Sequence, residues 1–165
     1  MPKPLPPVDE LLDLLRTHPV RLAELTDGLP ERRLRTPPAR DEWSAVEILA
    51  HLRSCSDMWG RAIEEILAGD HPTIRAINPR TWVEETDYRE QAFAPSFHSF
   101  TRQRTELLRT LDSLASEDWE RAATVTGAGK PLELTVHRYA DRLAIHERAH
   151  VTQIARIVGA PTRPA

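Results

Sequence analysis

Toward its C-terminal end the chain carries His146-Glu147-Arg148-Ala149-His150, which fits the pattern H-E-x-x-H. On a helix, residues four apart are offset by about 40° and one turn of rise, so both imidazoles can reach one ion. A five-residue match is equally compatible with two helical histidines that carry no chemistry. Position favours the ion. His150 falls at the middle of the apolar stripe that includes Tyr139, Leu143 and Ile157, and His146 lies toward one edge of it. Imidazoles facing a core need partners for their ring nitrogens, because an unpaired buried polar group costs about 1–3 kcal/mol. A shared metal ion would satisfy both.

Two ligands do not make a site. The residues after His150, VTQIARIVGAPTRPA, contain no His, Asp, Glu or Cys. The familiar peptidases with this motif take their third ligand from further along the chain, so here it must come from upstream. His51 is the best candidate, because it shares an angle, within about 20°, with Met58 and Ala62 inside an apolar stripe. A lone histidine there is more often a satisfied core residue. Three core-facing histidines on two helices are harder to explain as packing. Three protein nitrogens with one open position form the pattern of a catalytic metal centre. Zn²⁺ suits imidazole best, with Ni²⁺ and Fe²⁺ as alternatives. The open position would hold an activated water or a substrate thiolate.

Two neighbours carry weight of their own. Glu147 lies near the angle of Val136 and Ile154, where it is either the catalytic general base or a partner in a salt bridge to an arginine of another helix. The salt bridge is slightly favoured. Cys55 follows His51 by four residues and offers a thiol to the same ion, although a small buried cysteine is the commoner state. His18 and His71 each sit beside a proline in a joint, while His98 and His137 lie off the apolar faces of their helices. All four read as solvated surface or loop residues. The four tryptophans read as anchors of helix starts and of the crossover, with Trp82 also a candidate pocket wall.

The elements that must position these residues follow from punctuation. Long proline-free stretches separate proline-rich joints, which predicts helices connected by irregular loops. A first helix covers roughly residues 8–27, with a kink or break expected near Thr17-His18-Pro19. Ser44 with Glu47 is a capping box that opens the second helix, and Gly69 closes it. Residues 70–90 read as a long crossover. A third helix holds Phe97, Phe100, Leu107, Leu111 and Leu114. A fourth begins at Leu132 and stops at Gly159-Ala160-Pro161. Strand signals are poor, since period-two alternation and Asn-Gly or Asp-Gly turns are missing. The expected fold is all-α: a four-helix bundle over residues 1–165 as one domain, with a long crossover in an up-up-down-down order.

Composition narrows the function classes. The 165 residues hold 22 basic and 25 acidic side chains, a formal net charge of −3, with no basic block, which argues against a nucleic-acid binder. Aromatic residues make up 5%, too few for a platform that stacks on single strands. No apolar run reaches membrane-spanning length, and the first residues lack the apolar core of a secretory signal. A single cysteine excludes an intramolecular disulfide. A cytoplasmic protein acting on small molecules, without nucleic-acid or membrane partners, is the expectation.

The stretch EWSAVEILAHLRSCSDMWGRAI, with His51 inside it, resembles the second helix of the DinB-like superfamily. RLAIHERAHVTQIARIVG resembles that family's last bundle helix, and THPVRLAELTDGLPERRLRTPPA its first helix and joint. The likeness spans nearly the whole chain, and the three histidines are its most specific part. It implies a four-helix bundle, commonly homodimeric, holding a divalent metal on His51, His146 and His150. The superfamily includes bacillithiol S-transferases and the mycothiol-dependent maleylpyruvate isomerase. The isomerase has a glutamate as its middle ligand, whereas this chain has His146, so it looks more like the three-histidine branch. The resemblance therefore implies a metal-dependent thiol S-transferase using a low-molecular-weight thiol on electrophilic small molecules. A metal-assisted hydrolase with Glu147 as base and a metal-binding stress protein without turnover are the rivals.

Overall fold

The computed structural model describes residues 4–159. Four long helices carry the fold: α1 (Val8–Thr26), α3 (Ala45–Ala68), α5 (Phe93–Asp112) and α6 (Val136–Val158). Two short ones, α2 (Glu31–Arg35) and α4 (Pro79–Glu84), lie in the connections. The capping box forms as the sequence predicts: Ser44 Oγ accepts from the Glu47 amide and Glu47 Oε2 accepts from the Ser44 amide. Together they satisfy two donors that a helix start otherwise leaves open.

Two core clusters fix the helix directions. One gathers Leu11 and Leu15 of α1, Ile63 and Ile66 of α3, Leu111 of α5, and Tyr139 and Leu143 of α6. The other gathers Leu22 of α1, Ile48 and Leu52 of α3, Phe100 of α5 and Ile154 of α6. The bundle therefore runs up-down-down-up, with α3 and α5 parallel, rather than up-up-down-down. The reason is the crossover between residues 69 and 92: it carries the chain back along the bundle before α5 begins. Burial of each large side chain in these clusters contributes about 1.5–3 kcal/mol.

The chain is not purely helical. A small sheet of order β1-β2-β3 joins β1 (Thr73–Arg75) in parallel to β2 (Ala122–Thr126), which pairs antiparallel with β3 (Leu132–Thr135). These strands of three to five residues are too short for periodicity to register. Their hairpin loop uses Gly127 and Gly129 at positive φ instead of an Asn-Gly turn. For the same reason α6 starts later than expected, at Val136, where the Thr135 hydroxyl accepts from the Arg138 amide. The third long helix starts earlier than expected, at Phe93. Among the described residues no helix is long and apolar enough to cross a membrane.

Pro19 does not break α1, which continues through it to Thr26. A proline lacks the N–H that would bond the carbonyl four residues back. That carbonyl, on Leu15, instead accepts from Arg104 Nη1 of α5 at 3.1 Å. The helix keeps its course because the freed acceptor is satisfied from outside. His18 accordingly lies on a buried face, not in a solvated joint.

The crossover is pinned to α3 by Asp57. Its carboxylate accepts from Trp82 Nε1 at 2.9 Å, from the Tyr88 hydroxyl at 2.7 Å, and from Gln103 of α5. The buried Arg53 guanidinium lies 3.7 Å from the Tyr88 ring centroid and donates to Gln91 at 2.8 Å. Replacing Asp57 by Ala leaves three half-buried donors unpaired and is expected to cost about 2 kcal/mol. Urea unfolding reads this directly, and an unchanged midpoint would mean that the crossover is held by something else.

Candidate metal centre

The structure brings together the histidines that the sequence singled out. His51 comes from α3, and His146 and His150 from adjacent turns of α6. His146 Nε2 lies 3.1 Å from His51 Nε2 and 3.2 Å from His150 Nε2. Nitrogens bound about 2.0–2.1 Å from one tetrahedral ion sit about 3.3 Å apart, so each of these two spacings fits neighbours on one cation, with His146 the member common to both. Hydrogen bonding alone fits poorly. His146 Nε2 has one lone pair when neutral and faces two ring nitrogens, so it cannot satisfy both as an acceptor.

Their environment keeps these lone pairs free of protons. Burial, followed by the charges of His146 and His150, lowers the His51 pKa to about 4. Burial and His150 likewise lower His146 to about 4, and burial lowers His150. Gln153 Oε1 lies 2.9 Å from His150 Nδ1 and accepts its proton, which leaves Nε2 as the donor atom facing the cluster. His51 Nδ1 and His146 Nδ1 are buried and bond to no described residue, so their tautomers are set from the Nε2 side.

Cys55 enters the same cluster from the core side. Its Sγ lies 3.7 Å from His51 Nε2, and the ligand atoms of His51, Cys55 and His146 all fall within 4.8 Å of one another. Burial pushes the thiol pKa well up, helped by the charges of Glu147 and Asp57, so without a metal it stays protonated. Trp43 and Trp59 wall the cluster. The Trp43 ring centroid is 5.1 Å from that of His51, and Trp59 meets His146 edge-on at 5.2 Å. Neither tryptophan stood out in the sequence as more than a helix anchor. On the outer side, Arg80 and Arg156 flank an open depression that reaches His150.

Glu147 is fully buried and engages an ion pair with Arg104 of α5. Arg104 grips both of its oxygens, with Nη1 donating to Oε2 at 2.8 Å. His18 Nδ1 lies 3.2 Å from the same Oε2. Burial raises the Glu147 pKa, but the Arg104 charge and the His18 and Arg104 hydrogen bonds outweigh it and hold the carboxyl below its usual range. The sequence places His18 in a joint beside Pro19 and does not single out Arg104. A signal was present: Phe100, Arg104, Leu107 and Leu111 follow a 4-3-4 helical spacing that places Arg104 on the apolar stripe. His71 and His98 are exposed, as expected, while His137 is half-buried with Nε2 2.9 Å from the Pro6 carbonyl.

The profile of the DinB superfamily matches residues 14–154. The chain belongs to the DinB superfamily. Among curated relatives, the uncharacterized Bacillus subtilis protein YuaE is 29% identical over 146 residues, covering 79% of this chain and 86% of YuaE. A Geobacillus thermodenitrificans protein, provisionally named a metal-dependent hydrolase, is 24% identical over 135 residues, covering 78% and 72%. Among solved structures, YfiT from Bacillus subtilis superposes with a TM-score of 0.79 at 18% identity, covering 98% of this chain and 94% of YfiT. YfiT is described as a probable metal-dependent hydrolase with an unusual four-helix bundle topology. An uncharacterized protein from Clostridium difficile 630 superposes with a TM-score of 0.70 at 12% identity, covering 93% and 96%. These superpositions establish the shared bundle.

Two outcomes follow from the geometry. Arg104→Met strips the charge from a buried partner and leaves Glu147 uncompensated, which is expected to cost about 3–5 kcal/mol in denaturant unfolding. A loss under 1 kcal/mol would show that the pair is not structural. In chelator, acid should also destabilise the protein through the histidines. An unfolded imidazole binds its proton near pH 6.5, while His51 and His146 in the fold do so only near 4. Between those values the unfolded chain holds more protons, so stability falls as pH drops through that window. Thermal unfolding of wild type against His51→Ala checks it, the variant being expected to show the shallower slope.

Proposed function

We propose that this protein is a metal-dependent thiol S-transferase that joins a low-molecular-weight thiol to small electrophilic molecules. The observation that carries this reading is the division of labour inside H-E-x-x-H. Its histidines meet His51 at one cluster, while its carboxylate is fully buried and tied to Arg104 and His18. Among the described residues no carboxylate joins the His51, Cys55 and His146 group. A hydrolytic centre needs a base within reach of the attacking water. A thiol transferase does not, because a divalent ion held on the three imidazoles, with Zn²⁺ the first choice, would lower the pKa of a bound thiol and present it as thiolate.

The chain's own groups supply the rest. Gln153 orients His150, and Glu147 with Arg104 holds α6 so that both of its histidines keep their angle toward α3. Trp43 and Trp59 exclude water from the flanks of the cluster. Arg80, with its guanidinium 5.2 Å from the Trp43 ring, stands at the mouth to bind an anionic group of the incoming thiol. The thiol proton leaves to solvent through that opening.

A metal-assisted hydrolase is the second reading, favoured by the hydrolase descriptions attached to the Geobacillus relative and to YfiT. Glu147→Gln separates the two. The amide keeps the shape and one acceptor for Arg104 but removes its counter-charge, so at a temperature where circular dichroism shows the variant folded a transferase should lose only several-fold, whereas a hydrolase deprived of its base should lose about 10²-fold or more.

The test pairs elemental analysis with thiol consumption on a bimane halide, for wild type and His51→Ala. Wild type should carry about one ion per chain and lose turnover on chelation. His51→Ala should lose the ion and at least about 100-fold in rate. Stoichiometric metal in the variant, or turnover that survives chelator, would refute the mechanism.

A further inference from the structure

A second feature lies next to the metal centre and is not used by it. Between α3, α6 and the small sheet runs a cleft of about 440 Å³, within the size range of small-molecule sites. Its walls are mostly apolar, with Met58, Trp59 and Ala62 on one side, Tyr139 on the other, and Ile74 and Val125 of the sheet closing the end. Trp59 is common to both places: one side lines the cleft, and its edge meets the His146 ring.

Two observations say what the cleft takes. Tyr139 is 4% exposed, lines the cleft, and its hydroxyl bonds to no described residue. The hydroxyl is not itself sealed from solvent and stands free at the cleft, so it is available to a ligand. Around the rim stand Arg61, Arg75 and Arg142, and among the described residues none forms a salt bridge or hydrogen bond through its guanidinium. Glu65 is the single acidic residue of the lining. The Arg142 guanidinium lies 5.7 Å from both the Trp59 and Tyr139 rings, so it caps the apolar walls while its N–H groups remain free.

The geometry points to a binding site for the electrophilic substrate, and to its class: an apolar, ring- or branched-chain body bearing a carboxylate. The body fills the cleft beside Trp59 and Tyr139, the carboxylate pairs with Arg142 at the rim, and the tyrosine hydroxyl donates to an acceptor within. The apolar walls fit such a body better than a polar, sugar-bearing thiol. That the occupant is the electrophile rests on the transferase reading; the existence and chemistry of the site do not.

The probe is anilinonaphthalene sulfonate, an aromatic anion whose fluorescence rises on burial, titrated into the metal-loaded protein with circular dichroism as a control for folding. One saturable site is expected, displaced at least tenfold better by phenylbutyrate than by phenylbutanol, which lacks the charge. Arg142→Gln should weaken the dye about five- to tenfold through loss of a charge-assisted contact. Ala128→Trp, at an exposed position of the loop between β2 and β3, should block the cleft without touching the core and abolish saturable binding. Equal displacement by the alcohol, unchanged binding in both variants, or no saturable binding overturns the site. Displacement by a cysteine-containing thiol as good as by phenylbutyrate overturns its assignment to the electrophile. A wild type that turns over thiol with metal but shows no saturable dye site defeats the cleft alone, and one that binds dye without any such turnover defeats the transferase reading and leaves the cleft standing.

Discussion

The constraint that orders this molecule is the need to neutralise one carboxylate in a place with no water. Glu147 is fully buried, and an isolated charge there would cost several kcal/mol. Three helices supply the answer: α6 brings the acid, α5 brings Arg104, and α1 brings His18 and the Leu15 carbonyl. Helix rotation and helix spacing are both fixed by this arrangement, because a bidentate pair tolerates little sliding. Neighbours of Glu147 inherit that precision. His146 is adjacent to it in the chain, and His150 lies one turn on. The histidine cluster thus borrows its rigidity from an ion pair on another face of the same helix.

That arrangement also explains why the motif divides as it does. In H-E-x-x-H the acid stands about 100° around the helix from the first histidine and about 60° from the second, so acid and histidines can face different neighbours. Here the histidines meet α3 and the acid meets α1 and α5. The same five letters can serve hydrolysis only where the acid shares a cavity with the ion. Surroundings, not the motif, decide the chemistry.

Much of this was legible before any coordinates. The four helices and the capping box at Ser44 follow from period and caps; helix angle nominates His51 beside His146 and His150, a set the family resemblance also implies, and a salt bridge is the slightly favoured of two roles for Glu147. What escaped has physical reasons. Pro19 reads as a break because local rules cannot know that Arg104 will take the carbonyl it releases. The sheet is invisible because three- to five-residue strands stapled by tertiary contacts carry almost no pattern. The order of helix directions depends on where the crossover lands, and that depends on Asp57 meeting Trp82 and Tyr88, partners 25 and 31 residues away. Trp43 and Trp59 gain significance only through what they face.

Cys55 has a consequence for which ions such a centre would accept. A sulfur atom behind an all-imidazole face makes the donor set softer, so magnesium, calcium and manganese, abundant but oxygen-loving, compete poorly. Copper, being thiophilic and highest in intrinsic affinity, becomes the ion to be kept out.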